Sequence, residues 1–194
     1  MTARGFALFE TAIGSCAIAW GRGGIVGVQL PEADEHRTRA RIARRYPEAL
    51  ETSPPPPGVH LAIGDIVRLL AGEAIDLSRI ALDMTGVPEF NRRVYEVART
   101  IAPGRTMTYG EIAERIGDLG AARAVGHALG RNPFAIVIPC HRVLAANGKP
   151  GGFSANGGIV TKLRLLTIER AQTSDAPSLF DAHGGLPFRA ARAG

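Results

Sequence analysis

The most informative run of this 194-residue sequence is Asn132-Pro133-Phe134-Ala135-Ile136-Val137-Ile138-Pro139-Cys140-His141-Arg142-Val143. Its apolar residues predict a buried strand that leads to the cysteine and is broken by Pro139. Cysteine attacks as its thiolate, so a base or a positive charge is needed nearby, and His141 and Arg142 follow Cys140 directly. Neighbouring residues do not face each other on a strand or a helix, so contact between Cys140 and His141 needs a tight turn or a bridging water. A buried cysteine beside a surface histidine is the alternative interpretation.

Two short helices are predicted upstream of this run, after an amphipathic helix over 90–101. Thr108 and Glu111 have the spacing of a capping box, which predicts a helix from there to about residue 116. A glycine-bearing turn and a second helix over 121–131 follow, so the pair is a candidate helix-turn-helix, although ordinary helical hairpins share this pattern. The second helix carries mostly Ala and Gly, with Arg123 as its one long cation near the start. Such a smooth helix suits either tight packing against another helix or entry into a DNA groove.

Positive charge is concentrated in this half of the chain. Residues 1–86 contain nine Arg and no Lys against ten Asp and Glu, whereas residues 87–170 contain twelve Arg and Lys against six Asp and Glu. The excess behind the net charge of +5 therefore lies in the second half. Such a segment is typical of a nucleic-acid contact, but a solvated basic face without a partner explains it equally well.

The first half predicts a small α+β unit without a catalytic constellation. Its patterns predict strands at 6–11, 16–21 and 25–30, a helix over 32–46, a proline-rich loop over 53–58, a helix over 59–71, and an extended return to the sheet over 74–84. The predicted domains are residues 1–86, residues 87–170 and a partly flexible tail over 171–194.

Composition excludes several classes of protein. Cys16 and Cys140 are too few and too far apart for a disulfide scaffold or a four-ligand zinc site. The first half has no cluster of Cys and His, so neither a metal nor another cofactor is predicted. Apolar stretches are short and interrupted, and residues 1–5 lack the features of a secretory signal. We therefore expect no membrane span and a cytoplasmic location.

In these motifs the chain closely resembles the O6-alkylguanine-DNA alkyltransferases, also called methylated-DNA–protein-cysteine methyltransferases. The matching motifs are Pro-Cys-His-Arg-Val at 139–143, Thr-Tyr-Gly at 108–110, Ala-Ala-Arg-Ala-Val-Gly at 121–126, Asn-Pro at 132–133, and downstream Gly157-Gly158, Lys162, Leu165-Leu166 and Glu169. The resemblance is strong over residues 88–170 and visible only in outline in the first half. It implies an α+β fold in which an RNase H-like domain precedes a winged-helix-like, helix-turn-helix domain that carries the active cysteine.

The resemblance also implies a reaction and a role for each matching residue. A base inside a duplex is out of reach, so the damaged nucleotide is flipped into a pocket, where Cys140 accepts its alkyl group irreversibly. His141 takes the thiol proton through a water, and Glu169 orients that histidine. Tyr109 helps to rotate the nucleotide and gives a proton to the leaving guanine, and Arg123 fills the gap in the base stack. The implied DNA-contacting residues are Tyr109, Ala122, Arg123, Asn132 and Arg142.

The implied partner is double-stranded DNA that contains alkylated bases. Because the thioether product is stable, each molecule repairs one base, acting as a monomer without an obligatory protein partner. A catalytically silent binder of alkylated bases is the alternative, but such relatives lack the cysteine nucleophile that is present here as Cys140. A cysteine hydrolase needs an oxyanion hole and a DNA-binding regulator needs a ligand or dimer module, and the sequence shows a signal for neither.

Two features depart from the family pattern. Residues 153–158, Phe-Ser-Ala-Asn-Gly-Gly, stand where many members have Tyr-Ser-Gly-Gly, which removes a hydroxyl and inserts two residues. We expect Phe153, Ser154 and Gly157 to line the substrate pocket, with Ser154 still in contact with the base and the breadth of the pocket altered. His127 stands where a small residue is common, and we expect it to change the contact with DNA.

Overall fold

The first half of the chain forms a four-stranded sheet in the computed structural model, which describes residues 3–171. Its strands are β1 (Gly5–Thr11), β2 (Gly14–Gly21), β3 (Gly24–Gln29) and β4 (Leu50–Glu51). The strand order is β3-β2-β1-β4, with β1, β2 and β3 antiparallel and β4 parallel to β1. The three predicted strands are confirmed, and the first turn lies at residues 12–13, just before the predicted position at Gly14.

Two helices cover the two faces of this sheet. Strand β2 is buried on both faces because alternate side chains point in opposite directions: Ile18 lies in the larger apolar core and Ala19 in a smaller one. Helix α1 (Glu35–Arg45) packs on the smaller core through Ile42. Helix α2 (Pro57–Leu70) packs on the larger core. The sheet therefore forms the middle layer of this half.

The starts of both helices follow local signals in the sequence. Helix α1 begins after Asp34, whose carboxylate accepts a hydrogen bond from the backbone N–H of Arg37 at 2.7 Å. Helix α2 begins at Pro57, inside the segment 53–58, so the predicted loop is corrected at its end. Proline is tolerated at this position because the N–H that it lacks would have no partner in the first turn of a helix.

The predicted extended return to the sheet over 74–84 is confirmed only at its end, where Ala81 and Asp83 bond Ile25 through their backbones. It makes one parallel bridge, between Leu82 and Ile25, at the β3 edge of the sheet. Upstream of the bridge, the carboxylate of Asp76 accepts a hydrogen bond from the backbone N–H of Ser78 at 2.8 Å. A side chain that binds its own backbone in this way favours a turn over a strand ladder, which corrects the prediction.

The second half is mainly helical. Its helices are α3 (Glu89–Arg99), α4 (Tyr109–Arg115), α5 (Ala122–Gly130) and α6 (Gly158–Ile168), and β5 (Met107–Thr108) pairs in parallel with β6 (Val143–Leu144). The capping box is confirmed: the Glu111 N–H donates to the Thr108 hydroxyl at 3.1 Å, and the Thr108 N–H donates to the Glu111 carboxylate at 2.5 Å. The predicted helix-turn-helix, formed by α4 and α5, is confirmed as well.

Two side-chain hydrogen bonds fix the helix-turn-helix against α3. The Tyr95 hydroxyl donates to the backbone oxygen of Ala128 at 2.9 Å, which ties the middle of α3 to α5. The Arg93 guanidinium donates to the backbone oxygen of Ile116, where α4 ends. Both partners are carbonyls in or beside the helix-turn-helix, so the position of α5 is set by specific bonds as well as by apolar packing.

The segment before the cysteine is a folded loop, and the prediction of a strand over 132–138 is wrong. The Asn132 amide donates to the backbone oxygen of Ile138 at 2.9 Å, and its carbonyl oxygen accepts from the Phe134 N–H at 2.8 Å. Ile136, at the tip, has a φ of 70°. An asparagine side chain that bonds both ends of a short segment replaces the ladder that a strand would need. The backbone N–H of Val28 donates to the backbone oxygen of Pro133, and this bond attaches the loop to β3.

The larger apolar core runs through both halves of the described chain. It joins residues of the sheet and α2, such as Ile18 and Ile66, to residues of α3, the loop and α6, such as Val94, Phe134 and Leu165. The α+β fold class is confirmed. No helix within residues 3–171 is long and apolar enough to cross a membrane. Apart from Ala171, the predicted tail lies outside the described residues.

Candidate active site

Cys140 opens a tight turn, the arrangement that the sequence left open. Pro139 ends the preceding loop, and residues 140–142 form one 3₁₀ turn in which the Arg142 N–H donates to the backbone oxygen of Pro139 at 2.9 Å. The Cys140 N–H donates to Ile138 at 2.8 Å. Cys140 remains partly exposed, whereas His141 and Arg142 are buried. The turn thus leaves Cys140 partly exposed and buries both basic side chains.

His141 is paired with Glu169. Its Nε2 lies 2.9 Å from a carboxylate oxygen of Glu169, and the two side chains are 1% and 3% exposed. Burial raises the pKa of Glu169, but hydrogen bonds and charges from His141 and Arg142 outweigh it and lower the pKa to about 2. Burial lowers the pKa of His141, against the opposing hydrogen bond and charge of Glu169. At neutral pH the pair is therefore a neutral imidazole and an ionised carboxylate.

The pairing determines which nitrogen of His141 can accept a proton. An ionised carboxylate only accepts hydrogen bonds, so we assign the imidazole proton to Nε2, which donates it to Glu169. Nδ1 then carries a lone pair, and it is buried without a hydrogen-bond partner among the described residues. His141 is thus poised as a proton acceptor, with its other nitrogen held by Glu169.

Arg142 belongs to the same buried cluster, which corrects the prediction that it contacts DNA. Its guanidinium donates to both carboxylate oxygens of Glu169, at 2.7 and 2.8 Å, and to the backbone oxygen of Ile101 at 2.5 Å. Only 5% of the residue is exposed. Because its donors are occupied inside the protein, Arg142 supplies counter-charge to Glu169 and holds its carboxylate in place.

Lys162 is a further buried cation to which the sequence assigned no role. Its Nζ donates to the backbone oxygen of Val143 at 2.5 Å and lies 5.8 Å from the centre of the Tyr109 ring. Burial lowers the pKa of Lys162 to about 8, while the nearby Cys140 opposes the shift. On α6, the buried side chains of Lys162, Leu165 and Leu166 follow helical spacing. A lysine within an apolar helical stripe is the signal that marks it in the sequence.

Cys140 itself is held as a thiol in the resting state. Burial raises its pKa, while a hydrogen bond from Asn132 and the positive charge of Lys162 act in the opposite direction. Asn132, a predicted DNA contact, therefore folds the preceding loop and also opposes the rise in the pKa of Cys140. The nucleophile needs a base to form the thiolate, and His141 follows it in the same turn.

Cys140 forms part of the wall of a cavity of about 530 Å³. The other described residues that line it come from α4, α5 and the loop before α6: Tyr109, Ala122, Arg123, Gly126, His127, Leu129, Gly130, Gly152, Phe153 and Ser154. A cavity of this size accommodates a single nucleobase with its sugar. It opens beside the helix-turn-helix, so the two predicted functions of the second half share one surface.

Tyr109 closes one side of this cavity. The capping box fixes it as the first residue of α4, and its ring packs on α5 beside Gly126, where a Cβ atom would lie 3.8 Å from the ring. Burial raises the pKa of the Tyr109 hydroxyl, and the nearby Cys140 raises it further. The phenol therefore keeps its proton at neutral pH, as a proton donor must. Arg123 is exposed at the mouth of the cavity.

The structure divides the predicted substrate loop. Phe153 and Ser154 lie in the cavity wall, whereas Gly157 does not and is instead the N-cap residue before α6. Gly157 has a φ of 80°, and a Cβ atom there would approach the Thr161 hydroxyl to 2.4 Å. Its glycine is thus needed for the backbone turn into α6, which corrects its predicted place in the pocket. Among residues 3–171, no group of His, Cys, Asp and Glu side chains could hold a metal ion.

Comparisons with known proteins agree with this geometry. A family model described as the DNA-binding domain of 6-O-methylguanine DNA methyltransferase matches residues 89–171. A methylated-DNA–protein-cysteine methyltransferase of Mycolicibacterium paratuberculosis is 48% identical over 120 residues, which are 62% of this chain and 70% of that protein. The chain belongs to the methylated-DNA–protein-cysteine methyltransferase family.

Solved structures extend the likeness to the whole fold. The O6-methylguanine methyltransferase of Mycobacterium tuberculosis matches with a TM-score of 0.69 and 33% identity, over 91% of this chain and 99% of that chain. A structure of the M. tuberculosis protein in complex with DNA matches with a TM-score of 0.67 and 33% identity, over 85% of this chain and 92% of that chain. The α+β architecture implied by the family resemblance is therefore confirmed. The family model spans α3 to α6 and contains the predicted site residues.

Proposed function

We propose that this chain repairs alkylated DNA by direct reversal, transferring the alkyl group of an O6-alkylguanine to Cys140. Family membership supports this reaction class, and the carrying observation is the position of Cys140. Cys140 lies in the wall of a nucleobase-sized cavity, and the buried His141–Glu169 pair begins with the next residue of the same turn. A catalytically silent binder of alkylated bases is not favoured, because it has no use for a nucleophile with its base.

Deprotonation of Cys140 is the first step. The thiol proton passes to Nδ1 of His141, relayed by one water, and the imidazolium that forms is stabilised by the ionised carboxylate of Glu169. Arg142 keeps Glu169 ionised and oriented throughout. The thiolate forms opposite the Lys162 ammonium, whose charge favours it. These roles extend the reaction logic of a nucleophile, a base and an orienting acid to single-use chemistry.

Access to the base depends on the surface of α5. Its small residues let the helix backbone approach a DNA groove closely, and Ala122 and Arg123 lie at the cavity mouth. We assign to Arg123 the role of filling the place that the flipped base leaves in the stack. We assign to Tyr109 the role of rotating the flipped nucleotide. The basic composition of residues 87–170 supplies attraction to the phosphate backbone, so binding weakens as the salt concentration rises.

The transfer itself is a displacement at the alkyl carbon. A bond forms between the Cys140 sulfur and that carbon, while the bond between the carbon and guanine O6 breaks. Tyr109 gives its phenolic proton to the departing base, which leaves as neutral guanine, and the Lys162 ammonium stabilises the phenolate from 5.8 Å above the ring. The thioether product is stable, so each molecule acts once.

A stoichiometry experiment tests this function. The protein is incubated with an excess of a duplex that carries one O6-methylguanine with a labelled methyl group. The transfer of the label and the mass of the protein are followed over time. We expect the protein to gain one methyl group on Cys140 and then to stop. Turnover beyond one equivalent, or binding without a gain in mass, would contradict the proposal. Arg123→Ala should slow the transfer, and an unchanged rate would remove Arg123 from the flipping step.

The proposal also assigns a role to each half of the chain, a partner and a location in the cell. We assign residues 1–86 to a supporting domain and residues 87–170 to the DNA-binding and alkyl-accepting domain, acting as a monomer. Alkylated double-stranded DNA is the partner, and a cytoplasmic location stays a prediction from the sequence. Neither a metal nor a cofactor has a step in the reaction.

A further inference from the structure

A second cavity, of about 380 Å³, reaches Cys140 from the side of the first half. Its described lining residues come from β3, α1, the loop after α5 and the loop before α6: Val28, Gln29, Leu30, Arg41, Arg45, Gly130, Arg131, Asn132, Ala135, Cys140, Phe153, Ser154 and Ala155. The proposed reaction takes place in the cavity beside α5 and assigns no role to the second cavity. We call the two the base cavity and the side cavity.

The two cavities share part of their walls, including Cys140. Four residues line both of them: Gly130, Cys140, Phe153 and Ser154. Phe153 and Ser154 are the first two residues of the altered loop, and they lie on the common border of the base cavity and the side cavity. The side cavity is therefore the space next to Cys140 that a group attached to a base in the base cavity can enter.

The geometry of the displacement requires space at this point. Sulfur, carbon and guanine O6 lie in line in the transition state, so any further substituent on that carbon points sideways from the line. A methyl group carries only hydrogens and needs no extra room. An alkyl group of the form CH₂R directs R away from both the base and the sulfur. The side cavity provides that room.

The lining of the side cavity is positively charged. Arg41, Arg45 and Arg131 contribute three guanidinium groups, and no carboxylate is among the described residues of its wall. Arg41 also pairs with Glu32 at 3.2 Å, whereas Arg45 and Arg131 make no ion pair within residues 3–171. The amide N–H groups of Gln29 and Asn132, which also line the wall, are bonded within the protein, so the arginines carry its charge. Such a wall favours an anion over a neutral group of the same size.

We propose that the side cavity receives the distal end of bulkier O6-alkyl groups and favours chains that end in a carboxylate. The inference rests on the proposed function and specifies its substrate class. Asn132 and Ser154 border the path beside the sulfur, and the arginines of α1 and Arg131 face the end of the chain. The altered loop thus sets the range of adducts by shaping the passage between the two cavities.

Matched adducts test this preference. Duplexes carry O6-methylguanine, O6-(3-carboxypropyl)guanine or its neutral isostere O6-(3-carbamoylpropyl)guanine, and single-turnover rates are measured with the full-length protein. We expect the carboxylate to react about fivefold faster than the carbamoyl group, as for a solvent-accessible ion pair. In Arg41→Gln/Arg45→Gln this ratio should fall toward one, and Arg131→Gln should lower it in the same direction. An unchanged ratio in these variants overturns the assignment.

A control with the same loss of charge isolates the cavity. Arg37 and Arg44 also lie on α1 but are not in the wall of the side cavity, so Arg37→Gln/Arg44→Gln should keep the wild-type ratio. If Arg41→Gln/Arg45→Gln slows all three adducts equally, these arginines bind DNA phosphates and the proposal is wrong. If the wild-type protein accepts methyl without preferring the carboxylate, the inference alone fails. If it accepts no methyl, the proposed function fails.

Discussion

The two cysteines of this chain have the same side chain and opposite surroundings. Cys16 lies in β2 within the larger core, fully buried, where burial raises its pKa to about 12 against a weak contact from the Thr11 hydroxyl. Burial also raises the pKa of Cys140, but Asn132 and Lys162 oppose this shift, and Cys140 lines a cavity. The two cysteines therefore differ in the polar groups placed around them and in access to a cavity.

The strongest test exchanges each cysteine in turn. Cys140→Ala should abolish alkyl transfer and retain DNA binding, since the acceptor is lost and the α5 surface is intact. Cys16→Ala should keep one equivalent of transfer and lose about 1 kcal/mol of folding stability, as for a small buried side chain. Protein mass after incubation with O6-methylguanine duplex, together with urea unfolding, measures both. Methyl transfer to Cys140→Ala would remove the distinction between the two cysteines.

Glu169→Gln should weaken the base behind Cys140. The amide no longer stabilises the imidazolium of His141, so we expect the transfer rate to fall about 100-fold, within the range for loss of acid–base assistance. Single-turnover rates measure this, with the exposed Glu48→Gln as a matched control. The same substitution should leave the reactivity of the Cys16 thiol unchanged, because the His141–Glu169 pair does not contact Cys16. A rate near that of the wild type would exclude Glu169 from the proton step.

The same pair should also show in the pH dependence of stability. The pKa of Glu169 is lowered from 4.5 to about 2 in the folded protein, so its contribution is complete above its unfolded value and is lost as the pH falls toward 2. The shift corresponds to about 3 kcal/mol. Urea unfolding between pH 5 and 2 should be flatter for Glu169→Gln than for the wild type.

The smallest expected effect concerns Lys162. Its ammonium lowers the pKa of Cys140, so Lys162→Met should raise that pKa and slow alkylation by iodoacetamide about tenfold at a given pH, the result of about one pKa unit. Lys162→Arg should restore part of the rate. Lys149, the other lysine of the chain, gives the control Lys149→Met. A pH profile that does not move in Lys162→Met would show that Lys162 is only structural.

Local signals predicted much of the fold. The capping box of Thr108 and Glu111, the three strands and the helix-turn-helix depend on neighbours within a few residues, and the structure confirms them. The loop over 132–138 failed because the Asn132 side chain bonds both of its ends, which apolar periodicity does not register. The composition of this segment is that of a strand, but the side-chain amide of Asn132 folds it into a loop.

The site divides in the same way. Cys140 and His141 were visible in the sequence as neighbours, but their separation into an outward sulfur and an inward imidazole depends on the turn after Pro139. The burial of Arg142 was missed because its partner, Glu169, lies 27 residues downstream. Lys162 had no assigned role for a related reason, since its target is the backbone oxygen of Val143 on another element.

The hydrogen bonds of Glu169 have a consequence for the charge of the site. In the resting protein the ionised Glu169 balances Arg142 while His141 is neutral, so this buried triad carries no net charge. When His141 takes the proton of Cys140, the triad becomes a monocation that faces a monoanionic sulfur. Charge moves within the protein and is not exchanged with the solvent, so we expect the rate to be independent of buffer concentration. The protein therefore supplies the counter-ions of this proton transfer itself.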